Sequence, residues 1–227
     1  MTDSSPTPSS SGRVIALVLA AGASSRFGSD KRQARLPDGR SLLEAVVATQ
    51  REVFDEVWVL TRPGDAYAPA VVAASAASAA SAVSAAASDG RVRCVVCDDA
   101  ADGQGHTVAT GLRLLMAMPD EGRPVRGALI ALADMPWVQA DTLRALRARF
   151  DATDRVVLPR HGEALGHPRL LPRAVWGALL GEQGGSGLQG DRGARVLIDW
   201  AAAEQVAVDD VGVLRDADTP ADLARGA

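Results

Sequence analysis

The sequence has no excess of basic residues, and this absence excludes one broad class of function. Lysine and arginine together number 24, against 28 aspartates and glutamates, and the net charge is −4. A broad nucleic-acid interface usually needs a basic face, so we expect no nucleic-acid partner. A small anionic substrate is compatible with this charge, because a local cluster of donors can bind it inside an acidic protein.

The sequence also lacks a long hydrophobic run. Residues 14–21 are apolar, but they are far too few to span a bilayer, and the segment before them holds acidic Asp3 and a single basic residue, Arg13. We interpret this run as a β-strand and expect a cytoplasmic protein with no membrane contact. Residues 1–12 are mostly Ser, Thr, Pro and Asp, which are too polar to bury. They predict a disordered tail ahead of one domain over residues 13–227.

Cysteine is scarce as well. The only two, Cys94 and Cys97, form Cys-Val-Val-Cys, a spacing that can chelate a metal or form a disulfide where it opens a helix. Here the pair lies in a β-branched stretch typical of a strand, on which residues three apart face opposite sides. No second pair exists to complete a zinc site. We therefore predict a structural role for both thiols.

Short apolar runs alternate with helical patterns along nearly the whole chain. The predicted strands are 14–19, 56–60, 91–96, 127–132, 155–158 and 205–208. The predicted helices are 41–53, which opens with a Ser-Leu-Leu-Glu capping box, 66–88, which is rich in Ala, 107–116, 141–150, 173–180 and 191–200. Several strands are continuously apolar, as expected where both faces of a parallel sheet are covered. The alternation predicts an α/β fold with a single doubly wound, mostly parallel sheet, whose ligand crevice lies outside the carboxyl ends of the strands.

The segment from Leu19 to Lys31 has the features of a phosphate-binding loop, directly after the first predicted strand. Its small residues let the backbone approach a ligand closely, and glycine can take the positive φ that a tight loop needs. Successive N–H groups in such a loop form an anion-binding concavity. Ser24 and Ser25 add hydroxyl donors, while Arg26 and Lys31 add the positive charge that a triphosphate demands.

Each of these features, taken alone, also fits an ordinary strand–helix turn with two solvated cations. Their combination in one short segment favours the phosphate loop. The segment matches neither the Walker pattern nor the dinucleotide pattern Gly-x-Gly-x-x-Gly. The residues expected to bind nucleotide here are Leu19, Ala20, Ala21, Gly22, Ser24 and Ser25.

A second signal is Asp134, which follows the apolar run 128–133 and precedes Met135 and Pro136. A carboxylate at the carboxyl end of a buried strand is well placed to hold a hard cation at the ligand crevice. A helix cap or a turn residue before a proline is the alternative. The residues alone leave both interpretations open.

Both segments resemble the MobA-like nucleotidyltransferases, especially the molybdenum cofactor cytidylyltransferases. The loop has their pattern Leu-Ala-Ala-Gly-x-Ser-x-Arg-x-Gly-x-x-Lys, and residues 134–136 match their Asp-Met-Pro. The resemblance implies a Rossmann-like nucleotidyltransferase fold and a loop that wraps a triphosphate, with Arg26 and Lys31 as catalytic cations. It also implies that Asp134 binds Mg²⁺. The glycine that usually precedes this aspartate is replaced by Ala133, which is also small.

Three further stretches fit the same family. Residues 103–111 resemble its Gly-Met-Gly-x-Ser-Leu-x-x-Gly segment, which implies that Gly103, Gly105 and Thr107 lie beside the base and ribose. The tripeptide 166–168 matches its Gly-His-Pro, which implies that His167 lies near the acceptor. Residues 190–195 and 216–220 match its closing motifs, in which a second carboxylate, here Asp216 or Asp218, can reach the metal. Their structural alternatives are a structural histidine, an N-cap at Asp191 and a solvated turn at 216–218.

The resemblance implies that an acceptor phosphate attacks the α-phosphorus of a nucleoside triphosphate and releases pyrophosphate. The family's cytidylyl members have Ala-Ala-Gly and its guanylyl members Ala-Gly-Gly, so Ala21 favours CTP. The expected partners are therefore CTP and a phosphorylated small molecule such as molybdopterin cofactor. The alternatives are a guanylyltransferase, a sugar- or isoprenoid-phosphate cytidylyltransferase, and a nucleotide-sensing module without catalysis. Isoprenoid enzymes have Asp-Ala-Ala-Arg-Pro where this chain has residues 134–136.

Overall fold

The computed structural model describes residues 12–22, 27–80, 91–120, 122–182, 187–190, 198, 200 and 202–224, with the backbone alone at 76–80 and 224. The predicted tail over residues 1–12 lies almost wholly outside this part of the chain. So does most of the predicted helix over residues 191–200.

An eight-stranded sheet forms the centre of the described part of the chain, in the order β3-β2-β1-β4-β7-β5-β6, with β8 paired to β5. The strands are β1 Arg13–Leu19, β2 Glu56–Thr61, β3 Val92–Val96, β4 Val125–Leu132, β5 Val157–His161, β6 Ala164–Leu165, β7 Arg169–Pro172 and β8 Glu204–Ala207. β1 pairs in parallel with both β2 and β4, and the β2–β3 and β5–β8 pairs are parallel too. The predicted α/β fold with a mostly parallel sheet is confirmed.

Two short strands break the parallel pattern that the sequence predicts. β7 runs antiparallel to β4 and β5, and β6 forms a hairpin with β5. The prediction missed both strands because neither is long enough to show a hydrophobic period. The strand predicted at 155–158 is correspondingly wrong at its ends, since β5 begins at Val157 and extends to His161.

The helices of the described residues cover both faces of the sheet. They are α1 Leu42–Arg51, α2 Tyr67–Ala80, α3 Gln104–Met116, α4 Ala140–Thr153, α5 Trp176–Leu179 and α6 Pro220–Ala224, with 3-10 turns at Lys31–Gln33, Ala100–Asp102, Arg173–Val175 and Val211–Leu214. The predicted capping box is present, because Ser41 Oγ accepts from the Glu44 N–H at 3.1 Å and Glu44 Oε2 accepts from the Ser41 N–H at 2.6 Å. The single helix predicted at 173–180 is wrong: a 3-10 turn precedes the short α5. The helix predicted at 107–116 begins earlier, at Gln104.

The core lies on both sides of the sheet, and β1 is buried between them. Val14, Ala16 and Val18 pack on one face with α1 and α4, whereas Ile15 and Leu17 pack on the other with α3. All five side chains are fully buried. A strand covered on both faces gains its stability from apolar burial, which explains the unbroken hydrophobic run.

The two cysteines lie on opposite faces, as predicted. Cys94 packs on the face that holds Val14, Ala16 and Val18, whereas Cys97 belongs to the face that holds Ile15 and Leu17. Burial raises the pKa of each thiol to about 11, so both stay protonated at neutral pH. Within the described residues, no group of three or more histidine, cysteine or acidic side chains is arranged to hold a metal. No helix in that part of the chain is long and apolar enough to cross a membrane.

Candidate nucleotide-binding site

A cleft of about 680 Å³ opens at the carboxyl ends of β1 to β4. Backbone hydrogen bonds continue the strand pairing past these ends. The Ala20 N–H donates to Leu60 O at 2.9 Å, the Ala133 N–H to Leu19 O at 3.2 Å, and the Cys97 N–H to Thr61 O at 2.8 Å. The loops that follow the four strands therefore start side by side, and their side chains converge on one crevice.

Most of the predicted site residues that the structure describes line this cleft. They are Leu19, Ala20, Ala21, Gly22, Lys31, Gly103, Thr107, Asp134 and Asp218. The volume lies within the range of small-molecule sites, about 300–1,000 Å³. Ser24, Ser25 and Arg26 lie outside the described residues.

Lys31 joins the two carboxylates that come from distant parts of the chain. It is the first residue of the 3-10 turn that Asp30 caps, and its Nζ lies 2.7 Å from Asp134 Oδ2 and 3.2 Å from Asp218 Oδ1. Burial alone would lower the pKa of this ammonium. Its hydrogen bonds to Asp134 and Asp218 outweigh burial and raise that pKa above its ordinary value. Lys31 is therefore a permanent positive charge at the floor of the cleft.

Asp134 has one carboxylate oxygen engaged and one available. Oδ2 accepts from Lys31, whereas Oδ1 is buried and has no hydrogen-bond partner among the described residues. A buried carboxylate oxygen is costly to leave unsatisfied, so Oδ1 is a candidate to ligate a cation or to accept from a bound donor. The Asp134 carbonyl accepts from the Ala217 N–H at 2.8 Å, and this bond brings the segment around residue 217 to the end of β4.

The structure separates the two other candidate carboxylates. Asp218 lines the cleft and contacts Lys31, whereas Asp216 is exposed and does not line it. Residues 215–218, between the 3-10 turn and α6, have no regular secondary structure, so their side chains do not follow the alternation of a strand.

The glycines of the loop serve in different ways. Gly28 has a φ of +76°, which glycine adopts without strain, whereas Gly22 does not have a positive φ. Gly22 is exposed, and a Cβ added there would meet none of the described residues within 4 Å. Among those residues, the missing side chain therefore serves to keep the mouth of the cleft open.

Gly103 and Gly105 meet another part of the chain. Gly103, with a φ of +118°, precedes α3, and an added Cβ would lie 2.4 Å from the carbonyl carbon of Gly190. A Cβ at Gly105 would lie 2.9 Å from Gly190 O. Both glycines let residues 187–190 pack against the start of α3. Gly103 also lines the cleft, but Gly105 does not.

His167 lies on the other side of β4 from the cleft. It precedes β7, and its N–H donates to Val213 O at 2.9 Å. It is joined to Pro168 by a cis peptide bond. His167 is not among the residues that line the cleft.

The cleft also contains polar residues that the sequence analysis missed. Arg62 and Asp98 line it. Arg62 follows Thr61, the last residue of β2, and Asp98 follows Cys97, whose N–H continues the pairing of β3 with β2. Arg62 Nη1 donates to Gly22 O at 3.1 Å, so this cation contacts the loop itself. Their position in the sequence could have identified them, because charged residues that follow adjacent parallel strands meet at the crevice.

Comparison with known proteins agrees with this geometry. A family model described as the MobA-like NTP transferase domain matches residues 16–206. Over 217 residues the chain is 28% identical to a probable molybdenum cofactor guanylyltransferase of Mycobacterium avium (strain 104), with 93% of each chain covered. It is 33% identical to the purine catabolism protein PucB of Bacillus subtilis (strain 168) over 128 residues, which span 55% of this chain and only 56% of PucB.

Solved structures give the same result across nearly the full length. Rv0371c from Mycobacterium tuberculosis H37Rv superposes with a TM-score of 0.67 at 26% identity, covering 95% of this chain and 97% of that one. The same protein is also known in complex with manganese, with a TM-score of 0.63 at 25% identity and coverage of 95% and 98%. The suspected family is confirmed: the chain belongs to the MobA-like NTP transferases and is a nucleotidyltransferase.

Proposed function

We propose that this enzyme transfers a nucleoside monophosphate from a nucleoside triphosphate, with Mg²⁺, to a phosphorylated acceptor of the molybdopterin type and releases pyrophosphate. The observation that carries the proposal is the set of Lys31, Asp134 and Asp218 at the floor of a cleft beside the loop that begins at Leu19. A cation to bind phosphate and a pair of hard oxygen ligands are what phosphoryl-type transfer requires.

The donor set fits a divalent metal. Asp134 Oδ1 is buried with no hydrogen-bond partner among the described residues, and carboxylate oxygens are the preferred ligands of Mg²⁺. We assign the metal to Asp134 and Asp218, because Asp216 lies outside the cleft. The manganese complex of Rv0371c supports a divalent cation in this family. A bound metal supplies charge stabilisation at the α-phosphate during transfer.

The chain's own groups bind and orient the nucleotide. The backbone from Leu19 to Gly22 lies along the cleft and can approach the phosphates closely, because these residues are small. Lys31 holds positive charge where the pyrophosphate leaves, and by family resemblance Arg26 adds a second cation. Catalysis then consists of positioning and charge neutralisation, and the acceptor phosphate is the nucleophile.

The acceptor side lies beyond β4. The nucleotide cleft is built by β1 to β4 and the start of α3, whereas His167 precedes β7, the next strand of the sheet after β4. An acceptor beside His167 would therefore approach the end of β4 from the side opposite the base. This arrangement supports the role near the acceptor that the family resemblance implies for His167.

We propose CTP as the nucleotide. Ala21 lines the cleft, and its methyl group narrows the pocket towards a pyrimidine. Steric selection of this kind contributes only ~1–3 kcal/mol, so it sets a preference. GTP is the second candidate, because the Mycobacterium avium relative is named a probable guanylyltransferase.

A screen of nucleotides and acceptors tests the proposal. CTP, GTP, ATP and UTP are each combined with molybdopterin-type and phospho-sugar acceptors in the presence of Mg²⁺, and released pyrophosphate is measured. We expect the highest kcat/KM with CTP and a molybdopterin-type acceptor, and no release without metal. A higher kcat/KM with GTP would overturn the choice of base, and faster turnover of phospho-sugars would overturn the acceptor class.

A further inference from the structure

A buried ion cluster lies directly beside the nucleotide loop. Arg32, the residue after Lys31, is only 3% exposed, an unusual position for a charged side chain. Its partner Asp65 has a side chain that is 2% exposed. Buried charges are tolerated only where they are paired and hydrogen-bonded, so both side chains must have such partners.

The Arg32 guanidinium ties together three separate segments. Its Nε donates to Asp30 Oδ1 at 2.8 Å, and its Nη1 donates to Ala20 O at 2.8 Å and also to Asp65 Oδ2. Ala20 is the first residue after β1 and lines the cleft. Asp65 accepts from Thr61 Oγ1, at the end of β2.

Asp65 in turn fixes the start of α2. Its Oδ1 accepts from the N–H groups of Tyr67 at 2.9 Å and Ala68 at 3.2 Å. Burial alone would raise the pKa of the Asp65 carboxyl, but hydrogen bonds from Arg32 and Thr61 lower it to about 2. Asp65 is therefore ionised at neutral pH and holds Arg32 from the side away from the cleft.

The charges of the cluster matter for a triphosphate nearby. One guanidinium pairs with two carboxylates, Asp30 and Asp65, and offsets one of their two negative charges; its hydrogen bonds also lower the pKa of Asp30. Without Arg32, both negative charges would lie uncompensated by it beside the loop that receives the phosphates. The anchored residue also fixes the 3-10 turn from which Lys31 extends towards Asp134.

We propose that Arg32 is a positioning residue for nucleotide binding, which holds the Ala20 carbonyl and the Lys31 turn in the geometry that receives the triphosphate. Arg32 also lines the cleft, but its guanidinium is occupied by Asp30, Asp65 and Ala20, so it acts through Ala20 and Lys31. The inference rests on the proposed nucleotide-binding role of the loop.

The test measures Kd for each nucleoside triphosphate by calorimetry, together with Tm, for Arg32→Gln and Arg32→Lys. Arg32→Gln is expected to raise Kd by about tenfold or more, since small misplacements of binding groups are costly. Arg32→Lys keeps the charge but lacks the planar fork that reaches three acceptors at once. Its Tm should recover towards the wild-type value while its Kd stays several-fold raised.

The matched control is Arg126→Gln. Arg126 is a mostly buried arginine paired with Asp151 and stacked on Phe150, away from the cleft. This control should lower Tm and leave Kd within about twofold of wild type. Thr61→Val, which removes one donor to Asp65, serves as the milder variant if Arg32→Gln does not fold, and it should raise Kd about threefold.

The outcomes separate the inference from the function on which it rests. If the wild type binds nucleotide and a folded Arg32→Gln binds it equally well, the positioning role is wrong and the proposed function stands. An equal rise of Kd in Arg126→Gln also overturns the role, because general destabilisation then explains the effect. Absence of nucleotide binding by the wild type removes the basis of both.

Discussion

Asp134→Asn separates the metal role of this residue from a structural one. The change keeps the shape of the side chain and removes the charge that would hold the cation. Lys31 lies 2.7 Å from Asp134 Oδ2, with 18% and 22% of the two side chains exposed, so water partly screens the pair. The amide oxygen of asparagine can still accept from Lys31, which also keeps Asp218. The expected loss of stability is about 1 kcal/mol or less, or roughly 2–4 °C in Tm for a chain of this size.

Turnover should respond far more strongly than stability. Loss of the metal carboxylate is expected to lower kcat by about 10²-fold or more, which corresponds to ~2.7 kcal/mol of transition-state stabilisation. The assay follows pyrophosphate release across a Mg²⁺ titration and records Tm for the same samples. Asp151→Asn is the control, because it makes the same change in a carboxylate–arginine pair with Arg126 that lies away from the cleft. It should lower Tm by a similarly small amount and leave kcat near the wild-type value.

A turn or cap residue at this position would give a different pattern. Asparagine caps a helix or a turn about as well as aspartate, so the change would leave both Tm and turnover close to their wild-type values. An Asp134→Asn variant with near-normal turnover at saturating Mg²⁺ would therefore refute the metal assignment.

The remaining predictions concern the second carboxylate, the base and the loop. Asp218→Asn should raise the Mg²⁺ concentration needed for half-maximal turnover, whereas Asp216→Asn should not, and the reverse result in the same titration would exchange their roles. Ala21→Gly should raise the ratio of kcat/KM for GTP to that for CTP, and an unchanged ratio would place base selection elsewhere. Gly22→Val should weaken nucleotide binding in calorimetry with little loss of Tm, because an added Cβ meets no described residue within 4 Å; binding as tight as that of wild type would contradict the loop assignment.

The parts of the fold that follow local rules could be predicted from the sequence. Residues 14–19 of β1 and 128–132 of β4 are continuous apolar runs because both faces of these strands are covered, and the Ser41 capping box marks the start of α1. β7 could not be predicted, because four residues ending in Pro172 carry no period. It is fixed by antiparallel pairing with β4, a contact between distant parts of the chain.

The site, like the fold, has parts that the local sequence predicts and parts that depend on contacts between distant residues. The residues of the loop and of the β4 end were predicted from their position after apolar strands. The sequence could not show that Lys31 contacts Asp218, 187 residues away, or that Asp216 does not line the cleft. Nor could it show that Arg32 is held by Asp30 and Asp65 while its neighbour Lys31 contacts Asp134, because two adjacent cations look alike in sequence.

Gly105 shows a different limit. The family resemblance implies that it lies beside the base and ribose, which stays a prediction; in the structure Gly105, at the start of α3, packs against Gly190. A glycine needed for close approach of the backbone is the same letter whether a ligand or another segment approaches. Only the three-dimensional structure distinguishes these two demands.

The most direct test of the account is the position of a divalent metal in crystals grown with Mn²⁺ and a non-hydrolysable CTP analogue. We expect an anomalous scattering peak about 2.0–2.6 Å from Asp134 Oδ1, the range typical of hard cations bound by carboxylates, with a second ligand from Asp218. Lys31 Nζ should then contact the phosphates. A peak away from Asp134, or a nucleotide bound outside the cleft while Lys31 still joins the two carboxylates, would contradict the central claim.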